Sequence, residues 1–266
     1  MSVTKENIKR AISENGLSNK IVCVHSSLSS FGEVVGGADT VINAFLEEGC
    51  TLLAPSFTYD YQFPHEEFIK QNAQEEEYIT EPHNRIYSMN TTEIASDMGA
   101  IPRAMVNTTG RHRGVHPTNS FVSLGPEAEE LISCQTFEDV YAPFQKMMDK
   151  NGFIIMMGVD LTKMTAIHYA EQLSGRNLFI RLALDENGNP ARMCEGSCSD
   201  GFNNLDSCVE KFEKQVIVGK SLWRIFPILE TVTACAETIK QNSGITHCDK
   251  NNCNRCNDMQ KGGPIL

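Results

Sequence analysis

A chain of 266 residues, 41% of them apolar, is long enough to bury one sizeable core, and no run of apolar residues in it is long enough to span a membrane. The 34 acidic and 23 basic side chains give a net charge of -11, which argues against nucleic acid as a partner and suits a polycationic small molecule drawn in by the long-range field. The polar opening Met1-Ser-Val-Thr lacks the apolar stretch of a secretory signal, so the expected compartment is the cytoplasm, with no membrane partner.

In chain order the elements read as mixed α and β. Thr4 to Glu14 has helical spacing, with Thr4 placed to cap it, Ile8 and Ile12 on one face and Gly16 past its end. Ile21 to His25 is a short apolar run of strand type. A loop of serines and glycines follows over Ser26–Gly37, then a helix over Ala38 to Glu48 and a buried strand over Thr51 to Pro55. Strand, loop, helix, strand is a βαβ unit, and it predicts a largely parallel sheet. Residues 58–90, rich in Tyr, His, Glu and Gln and without a sustained period, read as a long excursion near the active site. Helical spacing returns over Thr92 to Val106, where Pro102 kinks or restarts the helix. Ser120 to Leu124, Phe153 to Met157, Leu178 to Leu184 and Gln215 to Val218 read as strands, and Thr165 to Leu173 and Ile228 to Gln241 as helices. No linker or repeat divides the chain. The expectation for 1–266 is one α/β domain, a single mixed, largely parallel sheet core with flanking helices, carrying a Cys-containing tail over 244–266.

Three constellations carry chemistry. The loop His25 to Gly37 stands at a βα turn, where open α/β sheets bind ligands. Its hydroxyls at Ser26, Ser27, Ser29 and Ser30 can donate to carbonyls or phosphates, and Gly36 and Gly37 admit a ligand close to the backbone beside a helix start. It is neither a Walker A loop nor a Rossmann fingerprint, and an ordinary capped turn explains the same residues. Arg111-His-Arg-Gly-Val-His-Pro-Thr-Asn119 offers Arg111 and Arg113 for phosphate and holds His116 extended before Pro117; a solvated basic loop is the alternative. In Thr165-Ala-Ile-His-Tyr-Ala-Glu171, His168 and Glu171 lie three apart on one helix face, fit for a general base and its carboxylate, or for a plain surface pair.

Ten cysteines divide into two sorts. Cys23, Cys50, Cys134 and Cys235 stand singly in apolar or helical contexts and read as core thiols. Cys248-x4-Cys253-x2-Cys256 supplies three thiolates at spacings a zinc ion can bridge. His247 is too close to Cys248 to share the ion comfortably, so the fourth ligand is sought in Cys194 or Cys198, giving the candidate set Cys198, Cys248, Cys253 and Cys256. Such a zinc would be structural and pin the tail near the catalytic helix; a frayed tail with incidental cysteines is the alternative.

Taken in order, these motifs resemble the aminoglycoside 3-N-acetyltransferases, also called antibiotic N-acetyltransferases. The resemblance runs from about residue 3 to residue 242. It is carried by Val24-His-Ser-Ser-Leu-Ser-Ser-Phe-Gly32 with Gly36-Gly37, by Thr51-Leu-Leu-Ala-Pro-Ser56, by Arg113 through His116-Pro117 to Ser120-Phe121, and by Gly158 through Thr165 to His168-x-x-Glu171. It implies a fold distinct from the GNAT acetyltransferases and acetyl-CoA bound beside an aminoglycoside. The implied activity is acetyl transfer to the 3-amino group, conferring antibiotic resistance. His168 matches the family's catalytic histidine, with Glu171 as its partner, and Ser26, Ser27, Ser29, Ser30, Val35, Gly36, Gly37, Arg113 and His116 are the expected cosubstrate-binding residues. Where some members supply an orienting carboxylate, this chain reads Glu195-Gly-Ser-Cys-Ser-Asp200, which leaves Glu171, Glu195 and Asp200 as alternatives. A direct transfer needs no protein nucleophile; a covalent route would fall to Cys198 or Cys23. The remaining alternatives are a CoA-dependent N-acyltransferase acting on another amine and a zinc-stabilised binding protein or hydrolase. Monomer and homodimer both stay open.

The charge makes one expectation testable. Added salt should raise the KM for an aminoglycoside while that for acetyl-CoA changes little, because screening removes the attraction between an acidic protein and a polycation. Steady-state kinetics across an ionic-strength series checks it, and equal responses of both ligands would make the charge a solubility feature.

Overall fold

In the computed structural model, which describes residues 2–63 and 85–264, the first apolar runs become the centre of a sheet. Nine strands are described: β1 (Ile21–Ser26), β2 (Thr51–Pro55), β3 (His112–Arg113), β4 (Phe121–Leu124), β5 (Phe153–Met157), β6 (Phe179–Leu184), β7 (Pro190–Glu195), β8 (Lys214–Val218) and β9 (Ser221–Pro227). Seven form one sheet in the order β3-β4-β2-β1-β5-β9-β8, and β6 with β7 makes a separate hairpin. The pairings β1 with β2 and β1 with β5 are parallel. On one side β4 and β3 extend this centre antiparallel, and on the other β9 and β8 do the same.

The central strands read as unbroken apolar runs because both of their faces are covered. Ile21, Cys23, Ile154 and Met156 face one core, while Val22, Val24, Ile155 and Met157 face the other. The second core is closed by α1 (Lys5–Glu14), α2 (Gly37–Glu47) and α3 (Ala100–Asn107). The first is closed by α4 (Ala128–Ile132), α5 (Ala142–Asp149), α6 (Ala166–Leu173), α7 (Asp206–Val209) and α8 (Ile228–Gln241). A last helix, α9 (Asn254–Gln260), lies in the tail. No helix among the described residues is long and apolar enough to cross a membrane.

Local chemistry explains most boundaries. Thr4 and Asn7 close a reciprocal capping box at the start of α1, and Gly16 turns the chain just past its end at φ 73°. The helix expected over Thr92 to Val106 is shorter: Ser96–Met98 is a single 3-10 turn, Gly99 at φ 87° breaks the chain's course, and α3 begins at Ala100. Pro102 therefore falls in the first turn, where its missing N–H removes no intrahelical bond. Strand β9 escaped the sequence reading; Gly219 at φ 64° turns β8 back into it, and Trp223 becomes a fully buried core residue. The middle of the expected excursion over 58–90, residues 64–84, lies outside the described residues, but both described ends of that segment touch the hairpin. Gln62 bridges Ala183, and Ile86 bridges Leu184.

Gly158 follows β5 at φ 67°, and a Cβ there would stand 2.1 Å from the Ser30 hydroxyl. Gly158→Ala should cost about 2 kcal/mol or more through strain and crowding, hence lower Tm by roughly 4–8 °C. A thermal scan showing no change would mean that the serine loop yields freely at this point.

Candidate functional site

The parallel strands β1, β2 and β5 run into one cleft at their carboxyl ends, where α/β sheets place ligands. Its volume is about 920 Å³. Ser26, Ser27 and Ser29 line it from the end of β1 onward, Pro55, Phe57 and Tyr59 from the end of β2 onward, and His168 from α6.

His168 stands in the first turn of α6 and is buried, 8% exposed. Thr165 precedes the helix but has helical backbone angles and makes no side-chain cap. The ring's Nδ1 donates to Glu171 Oε2 at 3.0 Å. With a carboxylate oxygen as the acceptor, Nδ1 is the ring nitrogen that bears a proton. Glu171 is 1% exposed, and its other oxygen accepts from Arg176 Nη1 at 2.7 Å and from the Thr246 hydroxyl at 3.1 Å. Arg176 in turn donates to Thr246 Oγ1 and to the Ser243 carbonyl. A buried carboxylate needs this much compensation, and here a guanidinium, a hydroxyl and an imidazole supply it.

The ring is gripped on its faces and edge. Tyr141 stacks on it at 6.0 Å between centroids, and Phe202 meets it edge-on at 4.8 Å. Gly196 passes so close that a Cβ would lie 2.5 Å from His168 Cγ and 2.5 Å from the Tyr141 hydroxyl oxygen. Burial, with the carboxylates Glu195 and Glu171 nearby, holds the Tyr141 phenol well above its usual range, so it stays neutral.

Of the three carboxylates left open by the sequence, only Glu171 contacts His168. Glu195 is engaged by Arg181, whose Nε donates to Oε1 at 2.9 Å with both side chains buried. Asp200 is exposed and faces Lys250 at 3.8 Å.

The serine loop divides. Ser26, Ser27, Ser29 and Gly37 reach the cleft. The Ser26 hydroxyl is buried with no hydrogen-bond partner among the described residues, and Ser27 and Ser29 share a hydrogen bond at 3.0 Å. Ser30 does not line it: its hydroxyl donates to the Ser27 carbonyl at 2.7 Å and accepts from the Ser221 hydroxyl at 2.8 Å, which ties the loop to β9. Val35 is exposed outside the cleft, and Gly36, left-handed at φ 79°, turns the chain into α2. The starts of α2 and α3, at Gly37 and at Gly99-Ala100, converge on this wall.

Arg113 and His116, expected to bind cosubstrate, do not face the cleft. Every nitrogen of the Arg113 guanidinium is committed, to Ser120 Oγ, the Thr91 carbonyl and the Ser56 carbonyl. His116 is fully buried; Asn119 N–H donates to its Nδ1 at 3.0 Å and its Nε2 donates to the Cys194 carbonyl at 2.9 Å. Burial pushes its pKa down to about 4. These residues brace loops behind the site, and Arg111 does the same through the Asn90 and Thr91 carbonyls. Cys23 is sealed in the core beside His25, with burial raising its thiol well above the usual range, so it is poorly placed as a nucleophile.

Four thiols come together: the Sγ atoms of Cys198, Cys248, Cys253 and Cys256 all lie within 4.8 Å of one another. Residues that sequence reasoning missed are Tyr141, Gly196, Phe202, Arg176, Thr246 and Arg255. Gly196 lies in the Glu195–Asp200 stretch, and Thr246 and Arg255 in the cysteine tail, whereas Tyr141, Arg176 and Phe202 come from segments whose local pattern gives no sign of the site.

The fold is mixed α/β, and a histidine–carboxylate pair lines its cleft beside a serine loop. The profile of the aminoglycoside 3-N-acetyltransferase family matches residues 23–240. The chain belongs to that family. It is 28% identical over 179 residues to aminoglycoside N(3)-acetyltransferase IX of Micromonospora chalcea, a match that covers 65% of this chain and 63% of the relative. The chain thus spans under two thirds of the length of the curated relatives it matches. Among solved structures, the aminoglycoside acetyltransferase AAC(3)-IVa superposes with a TM-score of 0.79 at 18% identity, covering 98% of both chains, and a mutant of it has been solved in complex with a gentamicin. AAC-IIIb, solved in a binary complex with CoASH, superposes with a TM-score of 0.73 at 19% identity, over 91% of this chain and 97% of its own.

Gly196→Ala should displace the His168 ring while leaving the fold intact. A circular-dichroism melt close to that of the parent protein together with a shifted His168 imidazole resonance is the expected outcome; an unshifted resonance would show that the loop, and not the ring, gives way.

Proposed function

We propose that this chain transfers the acetyl group of acetyl-CoA to the 3-amino group of an aminoglycoside, with His168 as general base and antibiotic resistance as the outcome. One observation carries the reading: in a member of this family, His168 lines the cleft with Nδ1 held by the buried Glu171–Arg176 pair. The fixed Nδ1–H leaves Nε2 as the base. As the amine attacks the thioester carbonyl, Nε2 takes its proton. The tetrahedral oxygen accepts from the Ser26 hydroxyl, a reading supported by that hydroxyl having no partner among the described residues. Collapse expels the CoA thiolate, and the imidazolium returns a proton to it. No covalent enzyme intermediate is required.

The substrate assignments rest on complementarity. The convergent helix starts at Gly37 and Ala100, with the Ser27 and Ser29 hydroxyls, suit the phosphates of CoA. A solved relative holding CoASH supports the same reading. The net charge of -11 and Asp97, exposed at the rim of the cleft, suit a polycation, as does the gentamicin complex of another relative.

A thiol-release assay with acetyl-CoA against kanamycin- and gentamicin-type compounds tests the substrate. No release above hydrolysis with any of them would overturn it, and reaction with simple aliphatic amines instead would make the chain an acyltransferase of other amines. His168→Asn should lower kcat by about 10²–10⁴-fold with CoA binding retained. Glu171→Gln should be milder in kcat than His168→Asn, because it removes the orienting charge and leaves the base in place. Activity within a few-fold of the parent protein in His168→Asn would remove His168 from the mechanism.

A further inference from the structure

We propose that Cys198, Cys248, Cys253 and Cys256 bind a structural zinc ion that fastens the C-terminal tail to the wall of the cleft. The four thiols come from two places far apart in the chain, yet their sulfurs lie within 4.8 Å of one another. Tetrahedral zinc thiolate, with Zn–S of about 2.3 Å, sets its sulfurs about 3.8 Å apart. Two disulfides would instead need bonded pairs at about 2.05 Å, and all four are free thiols here. Four thiolates are a soft donor set that selects zinc over magnesium or calcium. They also fill every tetrahedral position, which separates the site from hydrolytic zinc with its open position.

The backbone is shaped for such a site. Cys253 precedes the first turn of α9 and Cys256 lies within it, so a two-residue spacer brings both sulfurs to one side. The Cys248 N–H donates to Cys256 Sγ at 3.4 Å, the kind of outer hydrogen bond that offsets thiolate charge. His247 is turned away: Nδ1 faces the Cys248 carbonyl and Nε2 meets Asn257 Oδ1 at 3.0 Å. Cys194 stays in the β6–β7 hairpin, paired opposite Ile180.

The metal would hold together parts that bear on His168. Cys198 lies two residues beyond Gly196, the glycine against the His168 ring, and its neighbours Ser197 and Ser199 line the cleft. On the tail, Thr246 donates to Glu171 and Arg255 lines the cleft. The two segments already meet at Gly201, where a Cβ would stand 2.4 Å from the Thr246 carbonyl oxygen. A tail of about twenty residues with a small apolar contribution gains its order from a cross-link rather than from a core.

The test begins with elemental analysis of protein purified without added metal, expected to find about one zinc per chain, and with release of that zinc by a mercurial thiol reagent, read with a chromogenic chelator. Cys253→Ser should bring zinc to near none and speed tryptic cleavage after Lys250, Arg255 and Lys261. His247→Ala and Cys208→Ser should keep the full zinc content. Should Cys253→Ser fail to fold, cobalt substitution of the parent protein replaces it, and the intense visible bands of a tetrahedral cobalt thiolate are expected. Absence of metal with unchanged tail cleavage in Cys253→Ser, stoichiometric iron in place of zinc, or disulfides among the four cysteines by non-reducing mass mapping would each overturn the assignment. None of these readouts depends on acetyl transfer.

Discussion

A carboxylate with 1% exposure, Glu171, is the hinge of this molecule, because its burial obliges other parts of the chain to come to it. An unpaired charge at that depth would be expensive enough to force neutralisation or rearrangement. Arg176, five residues on, supplies the opposite charge, and Thr246 supplies a hydroxyl from the tail. The remaining oxygen then has one use, to hold the His168 ring. Helix α6, the turn after it and the tail are thus coupled through one ion pair. The same pair holds Nδ1 of His168 as the nitrogen that donates, so pairing a buried charge also fixes the orientation of the ring.

The sheet serves this arrangement by ending in the right place. Three parallel strands deliver the serine loop, the turn after β2 and the approach to α6 to one edge, beside the starts of α2 and α3. The antiparallel strands on either side cover the edges and complete the two cores. The β6–β7 hairpin stands apart from the main sheet, and its role is visible at its end: Glu195 is clamped by Arg181, and Gly196 is thereby laid against the His168 ring.

Much of the fold was legible in the sequence because its central strands are continuous apolar runs and its terminal helices are amphipathic. Phe153 to Met157 and Ile228 to Gln241 appear with the expected boundaries for that reason. The stretch from Thr92 failed because Ile94, Met98 and Ile101 repeat at helical distances while Gly99 takes a left-handed angle that no periodicity reveals. The local site pair was legible too, since three-residue spacing on a helix is a sufficient reason for His168 and Glu171 to meet. Arg113 and His116 misled because charge and titratable type look the same in a ligand site and in a buried brace. Only the count of carbonyls around the guanidinium separates the two.

The sequence by itself determined the class of fold, the family, the His168–Glu171 pair on one helix and the thiol spacing in the tail, all of which depend on neighbours within a turn or a strand. Tertiary structure alone set Glu171 against His168 while engaging Glu195 and Asp200 elsewhere, brought Cys198 to the other three thiols, and placed Tyr141, Phe202 and Gly196 around the ring. The physical reason is range. Propensity and periodicity act over a few residues, whereas pairing a buried charge, filling the space beside an imidazole or closing a ring of four sulfurs is settled only when segments far apart in sequence are packed against one another.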